Sequence, residues 1–178
     1  MAPLILITGG SRSGKSAFAQ HLAEEQGGSR LFIATSQPAD PEMAERVRCH
    51  QKEREGRNWQ TVEEPLAPAQ VLAGCEPGTT VLLDCLTLWV SNVMHDHELS
   101  KKNMDDDVIS LLAGKLAQAA REFSGSVFMV TNEVGLGIVP DNPLARRYRD
   151  LVGRCNQVIA AEADHVYLVS CGIPLSLK

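Results

Sequence analysis

The chain has 178 residues, 44% hydrophobic and 22% charged, the balance of an ordinary globular protein with room for one full core. Its formal net charge of −5 gives no general attraction to nucleic acid or to acidic membranes. No run approaches the ~20 apolar residues of a membrane span, and the short run Pro3–Thr8 lacks the flanks of a signal peptide. A cytoplasmic protein with a single domain over residues 1–178 is expected. Cys49, Cys75, Cys85, Cys155 and Cys171 are odd in number and contain no C-x-x-C, so they read as reduced, mostly buried thiols.

The first element is an apolar strand, Leu4–Thr8, running into Gly9-x-x-x-x-Gly14-Lys15-Ser16. Each part of this phosphate-binding loop has a physical task. Glycines let the backbone N–H groups of Gly9, Gly10, Ser11, Arg12, Ser13 and Gly14 curl around an anion. The helix that follows, from about Ser16 to Gln26, aims its positive N-terminal end at the same place. Lys15 reaches β- and γ-phosphates, and the Ser16 hydroxyl suits Mg²⁺. The helix has an amphipathic start at Ala17, Phe18, His21 and Leu22. A complete motif between an apolar strand and such a helix argues against a chance glycine-rich turn.

A second strand, Leu31–Thr35, is followed by a helix opening at Asp40, with Asp as N-cap, Pro41 at the first position and Glu42 in the first turn. Met43, Val47, His50 and Arg54 fall on one stripe of it. A lone His on an apolar helix face is usually a satisfied core or boundary residue. Here Arg46, Arg48, Lys52 and Arg54 surround it, and nearby positive charge favours the neutral, nucleophilic imidazole. The same cations suit a nucleotide's phosphates, while the interleaved Glu45, Glu53 and Glu55 suit a solvated face. Glu63–Gly78, with Pro65, Pro68 and Pro77, reads as a surface excursion with at most one short helix.

A third strand, Val81–Asp84, ends in a carboxylate that either completes an Mg²⁺ shell opposite Ser16 or caps the next helix, about Leu86–His95. The helix near Met104–Phe123 carries a stripe of Val108, Leu111, Leu112, Leu116, Ala119 and Phe123 that core packing explains. The strand Val127–Thr131 then leads into Thr131–Pro140. Asn132 and Glu133 lie beyond its carboxyl end, where open parallel sheets hold ligands. They are placed to touch substrate or metal-bound water, or form an ordinary strand-to-helix loop. A helix over Pro143–Ala163, a strand over His165–Ser170 and an antiparallel edge strand within Gly172–Lys178 complete the chain. His21, His95, His97 and His165 read as surface residues. The alternation predicts an α/β fold with a mostly parallel central sheet flanked by helices.

Four segments can be taken together: Thr8–Ser16, Ile33-Ala-Thr-Ser36, Glu45-Arg-Val-x-x-His50 leading to Trp59-x-Thr-x-Glu-Glu-Pro65, and Thr131-Asn-Glu-Val-Gly-x-Gly-Ile-Val-Pro140. In this order they resemble the bifunctional adenosylcobinamide kinase / adenosylcobinamide-phosphate guanylyltransferase family of cobalamin biosynthesis. The resemblance implies a P-loop NTPase fold of the RecA-like branch and a homotrimer; the lack of a basic or aromatic tract for DNA argues against a nucleic-acid partner. It implies phosphorylation of adenosylcobinamide by ATP or GTP, then transfer of GMP from GTP through a GMP–histidine intermediate. The matching position is His50, with Cys49 where some relatives carry a second His. Nucleotide contacts are implied at Gly9 to Ser16, at Ala34, Thr35 and Ser36, at Gln51, Lys52, Glu53 and Arg54, and at Glu63 and Asp84. Ser16 and Asp84 would hold Mg²⁺.

A phosphate-loop small-molecule kinase without nucleotidyl transfer is the nearest alternative and makes His50 incidental. A GTP-dependent switch expects an Asn-Lys-x-Asp specificity motif and a Gly after the strand acid. Asp84-Cys-Leu-Thr87 and Thr131-Asn-Glu-Val134 supply neither.

Overall fold

The computed structural model describes residues 2–36, 48, 54 and 56–178. Strands β1 (Leu4–Gly9), β2 (Arg30–Ala34), β3 (Trp59–Glu63), β4 (Thr80–Asp84), β5 (Val127–Val130), β6 (His165–Ser170) and β7 (Ile173–Ser176) form one sheet in the order β3-β2-β4-β5-β1-β6-β7. All neighbouring pairs are parallel except β6 with β7, where the C-terminal edge turns back antiparallel. Helices α1 (Lys15–Glu25), α2 (Pro68–Gly74), α3 (Leu86–Leu99), α4 (Asp106–Glu122) and α5 (Pro143–Glu162) connect them.

The central strands are apolar at nearly every position because both faces of the sheet are covered. Period-two alternation divides their side chains between two cores. Leu4, Leu6, Leu31, Ile33, Val81, Leu83, Val127 and Met129 pack with α3, α4 and α5 on one face. Ile5, Ile7, Phe32, Leu82, Phe128 and Val130 pack under α1 on the other, where Ala19 and Ala23 are fully buried. Small residues at those two positions let α1 lie close on the sheet. Asp105 caps α4 by accepting from the Val108 N–H, and Asn142 caps α5 by accepting from Leu144 and Ala145.

Four sequence expectations need correction. β3 is a strand that the apolar-run reading passed over, because only Trp59 is partly covered and the next four residues are exposed. Backbone pairing to β2, from Arg30↔Trp59 to Ala34↔Glu63, makes this edge strand rather than apolar burial. The most buried stripe of α4 is Ile109, Ala113, Leu116, Ala117 and Ala120; of the predicted stripe Leu116 belongs to it, Val108, Leu112, Ala119 and Phe123 pack partly covered against the same core, and Leu111 misses, 59% exposed. α1 likewise buries Ala19 and Ala23 with Phe18 and Leu22 partly covered, while Ala17 and His21 face solvent. Nor are the thiols mostly buried among the described residues: Cys155 is buried, Cys75 and Cys85 are half-buried and Cys171 is exposed. The helix predicted from Asp40, apart from Arg48 and Arg54, lies outside the described residues; those two positions are helical.

Parallel register aligns the carboxyl ends of the strands. Ile7 and Asp84 both pair with Val130, and Ala34 pairs with both Asp84 and Glu63. The loops that leave this edge therefore begin side by side, and β5 lies between the strand that enters the phosphate loop and the strand that ends in Asp84.

Candidate active site

The phosphate loop leaves β1 through Gly9, whose φ is +157°, and enters α1 through Gly14 at φ +92°. A side chain at Gly9 would place its Cβ 2.4 Å from the Val169 carbonyl and 2.6 Å from Ser13 Oγ, so only glycine fits there. The loop is held largely by its own backbone. Ser13 N–H donates to the Gly10 carbonyl at 3.2 Å, and Gly172 N–H, from the β6–β7 turn, donates to the Ser13 carbonyl at 2.8 Å. Among the described residues no side chain caps α1. Its first N–H groups are thus directed at the loop interior, which suits an anion.

Lys15 donates from Nζ to the Gly10 carbonyl at 3.0 Å. Burial lowers its pKa, and the Asp84 carboxylate works in the opposite direction, so the two charges share one site. Asp84 does not cap α3: the N-cap position of that helix is Cys85. A cleft of about 710 Å³ runs from the loop along α1 and is lined by Ser11 to Ser16, Gln20, Phe32, Arg54, Arg57 and Asp84, among others. Arg54 is buried, its guanidinium 3.5 Å from the centroid of the Phe32 ring, a cation–π contact that fixes a positive charge on the cleft wall. Arg57 and Gln20 pair with Glu24, which also accepts from the Trp59 indole at 3.0 Å. Those contacts hold the Glu24 pKa down against the upward push of burial.

The other sequence-derived positions are dispersed. Thr35 is fully buried and its polar groups are used inside the fold. Its hydroxyl donates to the Cys85 carbonyl and accepts from the Cys85 N–H, both at 2.8 Å, while its N–H bonds to Asp84 and its carbonyl accepts from Asn92. It therefore ties the end of β2 to the Asp84–Cys85 junction. Ala34 is buried and Ser36 half-buried beside it. Glu63 is exposed at the end of the edge strand and does not line the cleft. His50, Gln51, Lys52 and Glu53 lie outside the described residues. Phe32 and Gln20 were not legible as cleft residues, since nothing in their sequence neighbourhood marks them, while Arg57 ends the basic stretch that begins at Arg46; β2 and α1 bring the three together.

Glu133 and Asn132 stand at the end of β5. Glu133 N–H donates to the Gly9 carbonyl at 3.2 Å, and its carboxylate accepts from the Thr8 hydroxyl at 2.6 Å. Asn156, from α5, bridges Thr131 and the Asn132 carbonyl.

Sheet order, glycine loop and the lysine–aspartate pair define an α/β nucleotide-binding protein of the phosphate-loop NTPase class. A sequence model of the cobinamide kinase / cobinamide phosphate guanyltransferase family matches residues 5–177. The bifunctional adenosylcobalamin biosynthesis protein CobP of Pseudomonas aeruginosa is 40% identical over 174 residues, covering 97% of this chain and 96% of that protein. Two bifunctional adenosylcobalamin biosynthesis proteins CobU are similar at the same level. That of Salmonella typhimurium is 39% identical over 98% of this chain and 99% of its own length, and that of Escherichia coli 41% over 98% and 99%. The chain belongs to the cobinamide kinase / cobinamide phosphate guanyltransferase family and is a bifunctional enzyme of cobalamin biosynthesis.

Proposed function

We propose that one triphosphate site in one domain serves both reactions, and that the reactions differ in which phosphorus atom is attacked. The observation that carries this reading is the convergence of Lys15, Asp84 and the loop on the cleft that Arg54 also lines. In the kinase step the hydroxyl oxygen of adenosylcobinamide forms a bond to the γ-phosphorus of ATP or GTP. The bond to the bridging oxygen breaks, and a nucleoside diphosphate leaves. Lys15 and the loop N–H groups stabilise the charge that accumulates on the phosphate oxygens.

In the guanylyl step a ring nitrogen of His50 attacks the α-phosphorus of GTP and pyrophosphate leaves. The phosphate of adenosylcobinamide phosphate then displaces the histidine, giving adenosylcobinamide-GDP. Arg54, fixed over Phe32, supplies positive charge at the end of the segment that carries His50. In this reading Gln51, Lys52, Glu53, Ala34 and Ser36 add nucleotide contacts, Glu63 adds one from outside the described cleft, and Thr35 acts indirectly by holding the Cys85 backbone in place.

Mg²⁺ fits the residues present. Ser16 and Asp84 line the same cleft and offer hard oxygen donors. Among the described residues no cluster of three or more His, Cys, Asp or Glu could hold an ion by itself, so phosphates and water would complete the shell, as Mg²⁺ commonly requires. The ion would neutralise phosphate charge. We further propose a trimer. Leu136, Ile138 and Val139 are 78%, 96% and 62% exposed, an apolar surface that an assembly would cover. No helix among the described residues is long and apolar enough to cross a membrane, which fits cytoplasmic work on soluble nucleotides.

Incubation with GTP labelled at the α-phosphate tests the reading. The expected product is protein carrying an acid-labile, alkali-stable label, absent from His50→Ala. An unlabelled wild type, or a His50→Ala protein labelled as strongly as wild type, contradicts the covalent route.

A further inference from the structure

The two reactions make different demands on proton transfer. A phosphate acceptor is already ionised near neutral pH, and a neutral imidazole already carries a free lone pair. The hydroxyl acceptor of the kinase step must lose a proton as its oxygen bonds to phosphorus. A carboxylate that serves the kinase step alone should stand beside the loop, have one oxygen held and the other available, and be free of the metal-binding role given to Asp84.

Glu133 meets these conditions. It follows β5, the strand between the loop strand and the Asp84 strand. Its N–H donates to the Gly9 carbonyl at 3.2 Å, which places it against the start of the phosphate loop. Its Oε1 accepts from the Thr8 hydroxyl at 2.6 Å and lies 3.5 Å from Asn156 Nδ2. The orientation of that amide is set from behind, because the Thr131 hydroxyl donates to Asn156 Oδ1 at 2.6 Å. Asn156 is only 9% exposed, so this bracket sits inside the protein. Glu133 is half-buried, and its Oε2 has no hydrogen-bond partner among the described residues.

We propose that Glu133 is the general base of the kinase step, with Thr8 and Asn156 as its positioning residues. The hydroxyl proton passes to Glu133 Oε2 as the oxygen–phosphorus bond forms and the bond to the leaving diphosphate breaks. The proton is released to water after product departs. The inference rests on the kinase reading given above.

The test uses the full-length enzyme and two separate assays: phosphorylation of adenosylcobinamide, and guanylyl transfer from GTP to preformed adenosylcobinamide phosphate. Glu133→Gln keeps an Oε1 acceptor for Thr8 and removes the base. Its kinase kcat should fall by about 10²–10⁴, a range typical of general-base loss. The KM for the triphosphate should stay within about threefold, and guanylyl transfer should be retained. Thr8→Val is isosteric and should split the activities in the same direction, with a smaller fall in kinase kcat and an unchanged triphosphate KM.

Kinase activity unaffected in Glu133→Gln, or both activities falling together in a variant that melts like wild type, overturns the proposal. If Glu133→Gln folds poorly, Thr8→Val decides: no split between its activities overturns the proposal. A wild type without kinase activity would strike the kinase reading itself rather than the assignment of its base.

Discussion

The loop after β1 and the loop after β5 begin next to each other at one edge of the sheet, yet they are fixed differently. Gly9–Ser16 is held mainly by backbone groups, Ser13 to Gly10, Gly172 to Ser13 and Glu133 to Gly9, with one side-chain bond from Lys15 to Gly10. The stretch from Thr131 to Glu133 shares the Glu133–Gly9 bond and has a second backbone bond from Thr131 to Ile7, but most of its bonds come from the side chains of Thr8, Thr131 and Asn156. The difference follows from the work proposed for each. A phosphate is cradled by N–H groups, so the loop needs backbone shape, and the glycines supply it. A single carboxylate must be aimed, and aiming needs bonds from several directions.

Gly9→Ala should produce the largest effect, because it breaks the backbone-built region. The added Cβ would lie 2.4 Å from a β6 carbonyl, a backbone atom that cannot step aside. We expect a loss of about 1–3 kcal/mol of stability, as for other overpacked sites. Both activities should disappear together. Thermal melting and the two assays on one preparation check this, and a variant that keeps either activity would show that the loop tolerates a different shape.

Asn156→Leu breaks the side-chain-built region. It leaves the Thr131 hydroxyl and the Asn132 carbonyl without their partner, a cost of about 1–3 kcal/mol for buried polar groups. Titration with a fluorescent GTP analogue should show nucleotide affinity near wild type, because the loop backbone is untouched. A loss of affinity as large as that of Gly9→Ala would mean that the two regions are one unit.

A smaller effect is expected at the far end of the cleft. The Glu24 pKa lies below its ordinary value of 4.5: burial raises it, but hydrogen bonds from Trp59 and Gln20 and the charges of Arg57 and Arg30 outweigh that. A carboxylate with a lowered folded pKa stabilises the fold above its unfolded pKa. That contribution is lost as pH falls through the folded value. Trp59→Phe should therefore cost under about 1 kcal/mol at pH 7 for this partly exposed cluster. The difference from wild type should shrink below pH 4.5 in melting experiments. A difference that grows in acid would contradict the assignment.

The least disruptive probe is alkylation. Burial pushes the Cys155 thiol up to about 12 and, with help from Asp84, the Cys85 thiol up to about 11. Part of Cys85 reaches the surface, but its sulfur is enclosed and bonded to Thr87. Native protein treated with iodoacetamide at pH 8 should carry label at exposed Cys171 and none at Cys85 or Cys155 by peptide mass mapping.

Much of the fold was legible because the central strands are continuously apolar and glycine and proline punctuate them. The phosphate loop was legible for the same reason that it works: its task fixes residue types at adjacent positions. What escaped the sequence is what depends on distant partners. β3 pairs through its backbone, and its exposed side chains carry no apolar pattern. Phe32 reveals no site role until Arg54 lies over it. Glu133 was visible as a residue beyond a strand end, but the bond from Thr8 spans 125 positions, and that from Thr131 to Asn156 spans 25. No local motif encodes such pairings.

In the proposed scheme one loop presents the triphosphate for both reactions. Lys15→Ala, assayed for phosphorylation of adenosylcobinamide and for guanylyl transfer to its phosphate, tests it most directly. The account predicts that both rates fall together, each by about 10²–10³ as for removal of a charge-stabilising group. A Lys15→Ala enzyme that loses one activity and keeps the other near the wild-type rate would contradict it, and would require a second nucleotide site.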